Sequence, residues 1–196
     1  MNPVLIIVPT LNLERGTDTG RLAHITAGCE ARVEVICGPK NKGFTKKANL
    51  GIKRRRPDED ICLLNDDITV FHYGWLRILQ NALYASPAYG IVGPSGKSVS
   101  ESGAGRLGDA GLKRVNRLPF WCVLIRGEVV DQVGLLNKAL IHYASDRYYC
   151  HIAAQNGWRC VWVKPVYLQH EHRGSGLQLE WWRKDMRTFR RLMELT

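Results

Sequence analysis

The sequence predicts an α/β fold, a mostly parallel central sheet flanked by helices in a single domain, and three observations lead to it. Continuous Val/Ile/Leu runs recur, as in VLIIV at 4–8, ICLL at 61–64 and GIV at 90–92. Unbroken runs of this length mark strands buried on both faces. Stretches of helix length separate them, and each run closes on Pro, Gly or a polar cluster, as a strand entering a loop does. With 196 residues, 45% of them hydrophobic, the chain is long enough for one sizeable core and too short for two ordinary domains.

The elements follow in order. NPVLIIVPT is a buried strand closed by Pro9, and ARVEVICG at 31–38 is a second, with one helix's worth of sequence between them. NKGFTKKANLGIKRRR at 41–56 reads as helical in its second half. DICLLNDDITV is a strand whose apolar part stops at Asn65-Asp66-Asp67. Trp75–Tyr84 has helical spacing and YGIVGP at 89–94 is strand-like, whereas 95–118 is rich in Gly, Ser, Lys and Arg and reads as the longest loop. The core resumes with FWCVLIRG as a strand and EVVDQVGLL as a helix and turn. A helix from about Ser145 to Asn156 is expected to end at Gly157. WRCVWVKPVYLQH supplies one or two late strands. The organisation is a domain over 1–176 and a basic amphipathic helix over 177–196, its stripe formed by Leu179, Trp182, Met186, Phe189 and Met193. That stripe packs on the domain or faces an anionic membrane.

Charge narrows the partners. There are 28 Lys+Arg against 18 Asp+Glu, a formal +10, which favours polyanions: nucleic acid, anionic membrane or phosphorylated substrates. The six cysteines form no C-x-x-C pair, and several lie in apolar runs, so free buried thiols in a reducing, cytoplasmic setting are expected, with peripheral contact to a membrane's inner face as an extension. No apolar run approaches the roughly 20 residues that span a bilayer.

Asp66 and Asp67 directly follow a buried strand, at the edge where open α/β sheets bind ligands. Adjacent carboxylates repel unless a cation relieves them; a divalent metal, Mn2+ or Mg2+, bridging a diphosphate would do so, and capping of the next turn is the plainer role. His170 and His172 end a later strand and could complete such a metal site or touch a phosphate. Asp146 falls in the first turn of a helix that Ser145 could cap. There it either serves the helix dipole or accepts a proton as a general base. Lys40, Lys42, Lys46 and Lys47 flank Gly43 and face phosphates or water. GPSGKS at 93–98 suggests a phosphate loop, but the required glycine falls at Ile91, which argues against an ATPase or kinase.

Taken in order, VLIIVPTLN, NKGFTKKANLGI, LLNDD with Trp75 beyond it, GIVGP, FWCVLIRGEVVDQVGLLN and SDRYYCHIAAQNGW, then a strand ending in His, resemble family 2 glycosyltransferases over about Val4 to Ser175. The resemblance implies the GT-A fold, Rossmann-like, and an inverting transfer of a sugar from a UDP-, GDP- or dTDP-linked donor to a glycan, lipid-linked or protein acceptor. By it Pro9 and Thr10 line the nucleobase pocket, Asp66 faces the donor's ribose or sugar, and Asp67 binds the metal with His170 or His172. Asp146 is the base. Asn12, Asn41, Gly43, Asn49, Asn65 and Trp121 join the donor-binding set. The chain departs from the pattern in lacking an Asp-rich segment after VEVICG, in Asn65 opening the signature, and in Ser145 beside the base.

A sugar nucleotidyltransferase would carry a Gly-rich, basic loop after the first strand, where this chain has PTLNLERG. A non-catalytic module binding nucleic acid or glycan, on a degenerate version of the same fold, is the reading from another class; the RRR at 54–56 motivates it. Aromatics confined to core-like runs and an Asp pair that repels phosphate without a metal argue against nucleic acid.

Overall fold

The computed structural model describes residues 1–39, 43–94, 111–171 and 179–196. Strands β1 (Val4–Thr10), β2 (Ala31–Cys37), β3 (Asp60–Leu64), β5 (Tyr89–Pro94), β6 (Leu112–Val115), β7 (Cys122–Ile125) and β8 (Arg159–Val163) form one seven-stranded sheet in the order β2-β1-β3-β7-β5-β8-β6. β1, β2, β3, β5 and β8 run one way; β7 and β6 run against them. Helices α1 (Leu13–Thr26), α2 (Gly43–Ile52), α3 (Trp75–Tyr84), α4 (Gly127–Val133) and α5 (Ser145–Gln155) cover the faces, and α6 (Leu179–Glu194) follows.

The apolar runs explain the two-sided burial. Successive residues of a strand point to opposite faces, so Leu5 and Ile7 join Ile61, Leu63, Val123 and Ile125 under α2, α4 and α5, while Val4, Ile6 and Val8 join Cys62, Leu64 and Leu124 under α1 and α3. Trp75 is fully buried in the second layer, its indole N–H donating to the Ala23 carbonyl at 3.2 Å.

Several expectations change. α2 begins at Gly43 and ends before the arginine triplet, so it is the first part of 41–56 that is helical. Beyond Asp67 the chain starts a separate strand, β4 (Ile68–Phe71), which pairs antiparallel with β9 (Leu168–His170) in a two-stranded ribbon. Part of the expected 95–118 loop is β6, held by antiparallel pairing to β8. Residues 95–110, with the Gly-Lys-Ser at 96–98, lie outside the described residues. Ser145 is the first residue of α5 and does not cap it; the cap position is Ala144, at φ 60°. Gly157 adopts φ 87° just past α5, the left-handed turn expected of it.

Of the arginine triplet only Arg55 is turned into the fold, and Arg54 and Arg56 are exposed. Arg55 pairs with Asp131 and donates to the carbonyls of Pro57 and Glu59, and Arg54 pairs with Glu34 at 2.5 Å. All six cysteines are free: Cys62, Cys122, Cys150 and Cys160 are buried, Cys29 is half-buried and Cys37 is exposed, against the expectation of burial.

Of the stripe predicted for α6, Met186, Phe189 and Met193 are half-buried. Leu179 and Trp182 are exposed, whereas Asp185 is 0% exposed. Its carboxylate accepts the backbone N–H groups of Ile141, His142 and Tyr143 at 2.9, 2.7 and 2.8 Å. An acid goes inward here because three amides of the loop before α5 satisfy it. Among the described residues no helix is long and apolar enough to cross a membrane.

Candidate active site

β1, β2 and β3 end side by side, at Thr10, Cys37 and Leu64, and the segment leaving β3 carries Asn65, Asp66 and Asp67 across that edge. The backbone N–H of Asn65 donates to the Trp121 carbonyl at 2.7 Å, which fixes where the acidic pair begins.

Asp66 is held from β1 and α1. Thr10 Oγ1 lies 2.5 Å from Asp66 Oδ2, and Arg15 donates to the same oxygen at 2.7 Å. Thr19 Oγ1 donates to the Asp66 carbonyl at 3.0 Å. Asn12 caps α1, its side-chain oxygen accepting from Arg15 N–H at 3.1 Å. Pro9 is buried in register opposite Ile36 of β2.

Asp67 is buried and meets the ribbon instead. His170 Nε2 stands 2.9 Å from its Oδ1, and Glu171 N–H donates to its carbonyl at 3.0 Å. Burial pushes the Asp67 carboxyl up, but the hydrogen bond and charge of His170, a backbone hydrogen bond and the charge of Arg15 together outweigh it, and its pKa lies below the ordinary carboxylate value. Trp121 stacks on the His170 ring, with centroids 5.0 Å apart and planes 13° from parallel. Asn12, Arg15, Thr19, Asp66, Asp67 and Glu171 line a cavity of about 290 Å³ at this edge.

The structure therefore brings together Thr10, Asn12, Asn65, Asp66, Asp67, Trp121 and His170. Two other expected donor contacts carry structural duties. Both ends of the Asn49 amide are spent on Leu136, donating to its carbonyl at 2.8 Å and accepting its N–H at 2.9 Å. Gly43, at φ 63°, lets α2 start against the Ile141 carbonyl, which an added Cβ would approach to 2.3 Å. Asn41 and His172, like Lys40 and Lys42, lie outside the described residues.

Asp146 occupies the first turn of α5, partly buried, with Arg147 N–H donating to its Oδ1 at 2.8 Å. Burial raises its pKa, and the Arg147 amide and the charges of Arg147 and Arg117 oppose the rise only in part. Phe120 packs edge-on against Tyr149 of α5, centroids 5.9 Å apart, and its neighbour Trp121 packs on His170. The segment before β7 thus connects the α5 side to the Asp67–His170 side.

Carboxylate oxygen and imidazole nitrogen suit Mn2+ or Mg2+ with water or phosphate completing the shell. Among the described residues no group of three or more such ligands stands together, so Asp67 and His170 form a partial set.

No family model matches the chain, and no characterised protein matches its sequence. Solved structures do match its fold, the GT-A type. GalNAc-T7 with UDP, GalNAc and Mn2+ superposes with a TM-score of 0.67 at 10% identity, over 91% of this chain and 45% of that one. The mannosyltransferase PcManGT from Pyrobaculum calidifontis, with GDP-Man and Mn2+, gives 0.59 at 15% identity, over 89% and 58%. Residues 1–349 of TarS from S. aureus give 0.57 at 14% identity, over 85% and 59%. The chain thus spans about half the length of these three proteins.

Proposed function

We propose that this chain is a metal-dependent glycosyltransferase that moves a sugar from a nucleoside diphosphate donor to an acceptor hydroxyl, with inversion at the anomeric carbon. The observation that carries the reading is the Asp66–Asp67 pair at the carboxyl edge of β3, one acid tied to β1 and α1, the other facing His170. Structural neighbours solved with UDP or GDP-Man and Mn2+ support the donor class.

In this reading Asp67 and His170 hold the metal, and the stack on Trp121 keeps the imidazole in plane. The cation, when bound, offsets charge on the departing diphosphate. Asp66, fixed by Thr10 and Arg15, presents its carboxylate to donor hydroxyls. Asp146 takes the acceptor's proton as the acceptor oxygen bonds to the anomeric carbon. The bond from that carbon to the phosphate oxygen breaks, and its electron pair leaves with the diphosphate. A carboxyl withdrawn from water is a stronger base than an exposed one, which suits this task.

Calorimetric titration of UDP-, GDP- and dTDP-sugars, with and without Mn2+, tests the donor site on the wild type and on Asp67→Ala. One nucleotide sugar should bind only with metal, and the binding should vanish in the variant. Absence of binding to every donor by folded protein would overturn the reading.

A further inference from the structure

A second cavity lies on the face of the sheet opposite α1, between α2 and the loop that runs from α4 to α5. Its volume is about 670 Å³, and it shares no lining residue with the cavity beside Asp66 and Asp67. Two hydrogen-bonded seams fix its walls to each other. The Thr45 N–H donates to the Ile141 carbonyl at 3.2 Å, and the Asn49 amide holds both backbone groups of Leu136. Asp185 in turn holds the Ile141 N–H, so the groove is formed before any ligand enters.

The lining divides by chemistry. Leu50, Leu135, Leu140 and Ile141 supply an apolar surface, with Leu50 and Leu135 exposed to water. Lys46, Lys53 and Lys138 line it as well, all three exposed, and among the described lining residues none is acidic. Among the described residues no ion pair engages any of these lysines. A cleft lined by one sign of charge concentrates ions of the other sign. Thr45 is 1% exposed and lines the same cavity, and its Oγ1 is buried without a hydrogen-bond partner. A buried hydroxyl left unpaired is costly, and a valine would fill the same space without that cost. The hydroxyl is accounted for if an oxygen of a ligand completes it.

We propose that this groove binds one molecule of a phosphorylated lipid. Lys46, Lys53 and Lys138 hold its phosphate, the aliphatic residues take its apolar chain, and Thr45 Oγ1 donates to one of its oxygens. Three ammonium groups favour a phosphate monoester, with about −1.5 to −2 charge at pH 7 and three acceptor oxygens, over a single carboxylate. A flat bilayer surface cannot enter a concavity, whereas a volume of this size holds a single small amphiphile. The site stands apart from the donor reading, since neither the acidic pair nor His170 lines it.

The experiment titrates the protein calorimetrically with dihexanoyl phosphatidic acid, kept below its micelle concentration, and with inorganic phosphate. The wild type should bind the lipid about 10-fold or more tighter than phosphate, because the chains bury apolar surface. Lys53→Gln/Lys138→Gln should lose roughly 10- to 100-fold in lipid affinity and, both lysines being exposed, melt as wild type does. Arg187→Gln/Arg190→Gln removes the same charge from exposed positions of α6 and should lose less than about 3-fold. Thr45→Val should weaken binding by about 3- to 10-fold and, without ligand, melt no lower than wild type. Equal losses in the two double variants would reduce the effect to overall charge and overturn the proposal. So would phosphate binding as tightly as the lipid, or no binding of the lipid by folded wild type. Capture of the protein by phosphatidic acid vesicles without binding of the soluble lipid would assign the lysines to a membrane surface and overturn it too. Full affinity in Thr45→Val overturns the part given to the hydroxyl.

Discussion

In the proposed reaction Asp146 accepts a proton, and there the demands of stability and of transfer oppose each other. Its pKa is raised by burial, so the ionised form that accepts a proton is the form the fold disfavours. A raised carboxylate pKa leaves folding unpenalised below the ordinary value of 3.8 and takes stability away as pH rises through the raised value. Asp146→Asn should therefore lower transfer by about 10²–10⁴-fold while leaving donor affinity intact. Its melting temperature should match wild type at acid pH and exceed it above neutrality. Melting curves across pH and steady-state rates check both; a variant less stable than wild type at every pH would contradict the account. Sequence carried Asp146 as far as the first turn of a helix. It could not carry the degree of burial, which comes from what packs around that turn. Lys46 and Lys47 illustrate the same limit: adjacent, chemically identical, and separated only by the way α2 lies on β1 and β2.

At the level of elements, the long apolar strands and α3 were legible because a period of 2 or 3.6, or an unbroken run, suffices to define them. β4 and β6 were not. Each has four residues, and each exists through a distant partner, Ile68 with His170 and Val115 with Cys160. The same ribbon explains why His170 could be nominated from sequence but paired with Asp67 only in three dimensions. α6 was legible as a helix, and Met186, Phe189 and Met193 of its predicted stripe are half-buried, but its innermost residue, an acid, was not foreseen. Asp185→Ala would strand the amides of Ile141, His142 and Tyr143, directly before α5. We expect a loss of about 3 kcal/mol or more of stability, since each orphaned buried donor costs about 1–3 kcal/mol. Denaturant unfolding measures it, and a loss under about 1 kcal/mol would mean that water replaces the carboxylate.

For the whole molecule the formal charge of +10 is the property most exposed to solution conditions. In the proposed donor complex Arg15 acts at short range beside Asp66, while the remaining surplus would attract a diphosphate across water. Raising salt from about 50 to 500 mM shortens the screening length from roughly 14 to 4 Å. Donor affinity should weaken several-fold, mainly through slower association. Stopped-flow binding at both salt concentrations tests this, and a salt-independent association rate would assign the attraction wholly to the site.

The position of β7 has a kinetic consequence. Ile125 pairs with Ile61 on one side and with Ile91 on the other, so this one antiparallel strand joins β2-β1-β3 to β5-β8-β6. Val4 finds Ala31 after 27 residues (31 − 4), whereas Ile61 waits 64 residues (125 − 61) for Ile125. Closing the longer loop costs more entropy before any contact rewards it, so the first half-sheet forms early and the zipper between halves closes late. Until β7 arrives, β3 presents an open, largely apolar edge of the kind that seeds association between chains. The delay in placing one four-residue strand therefore governs how long each newly made chain remains prone to aggregate.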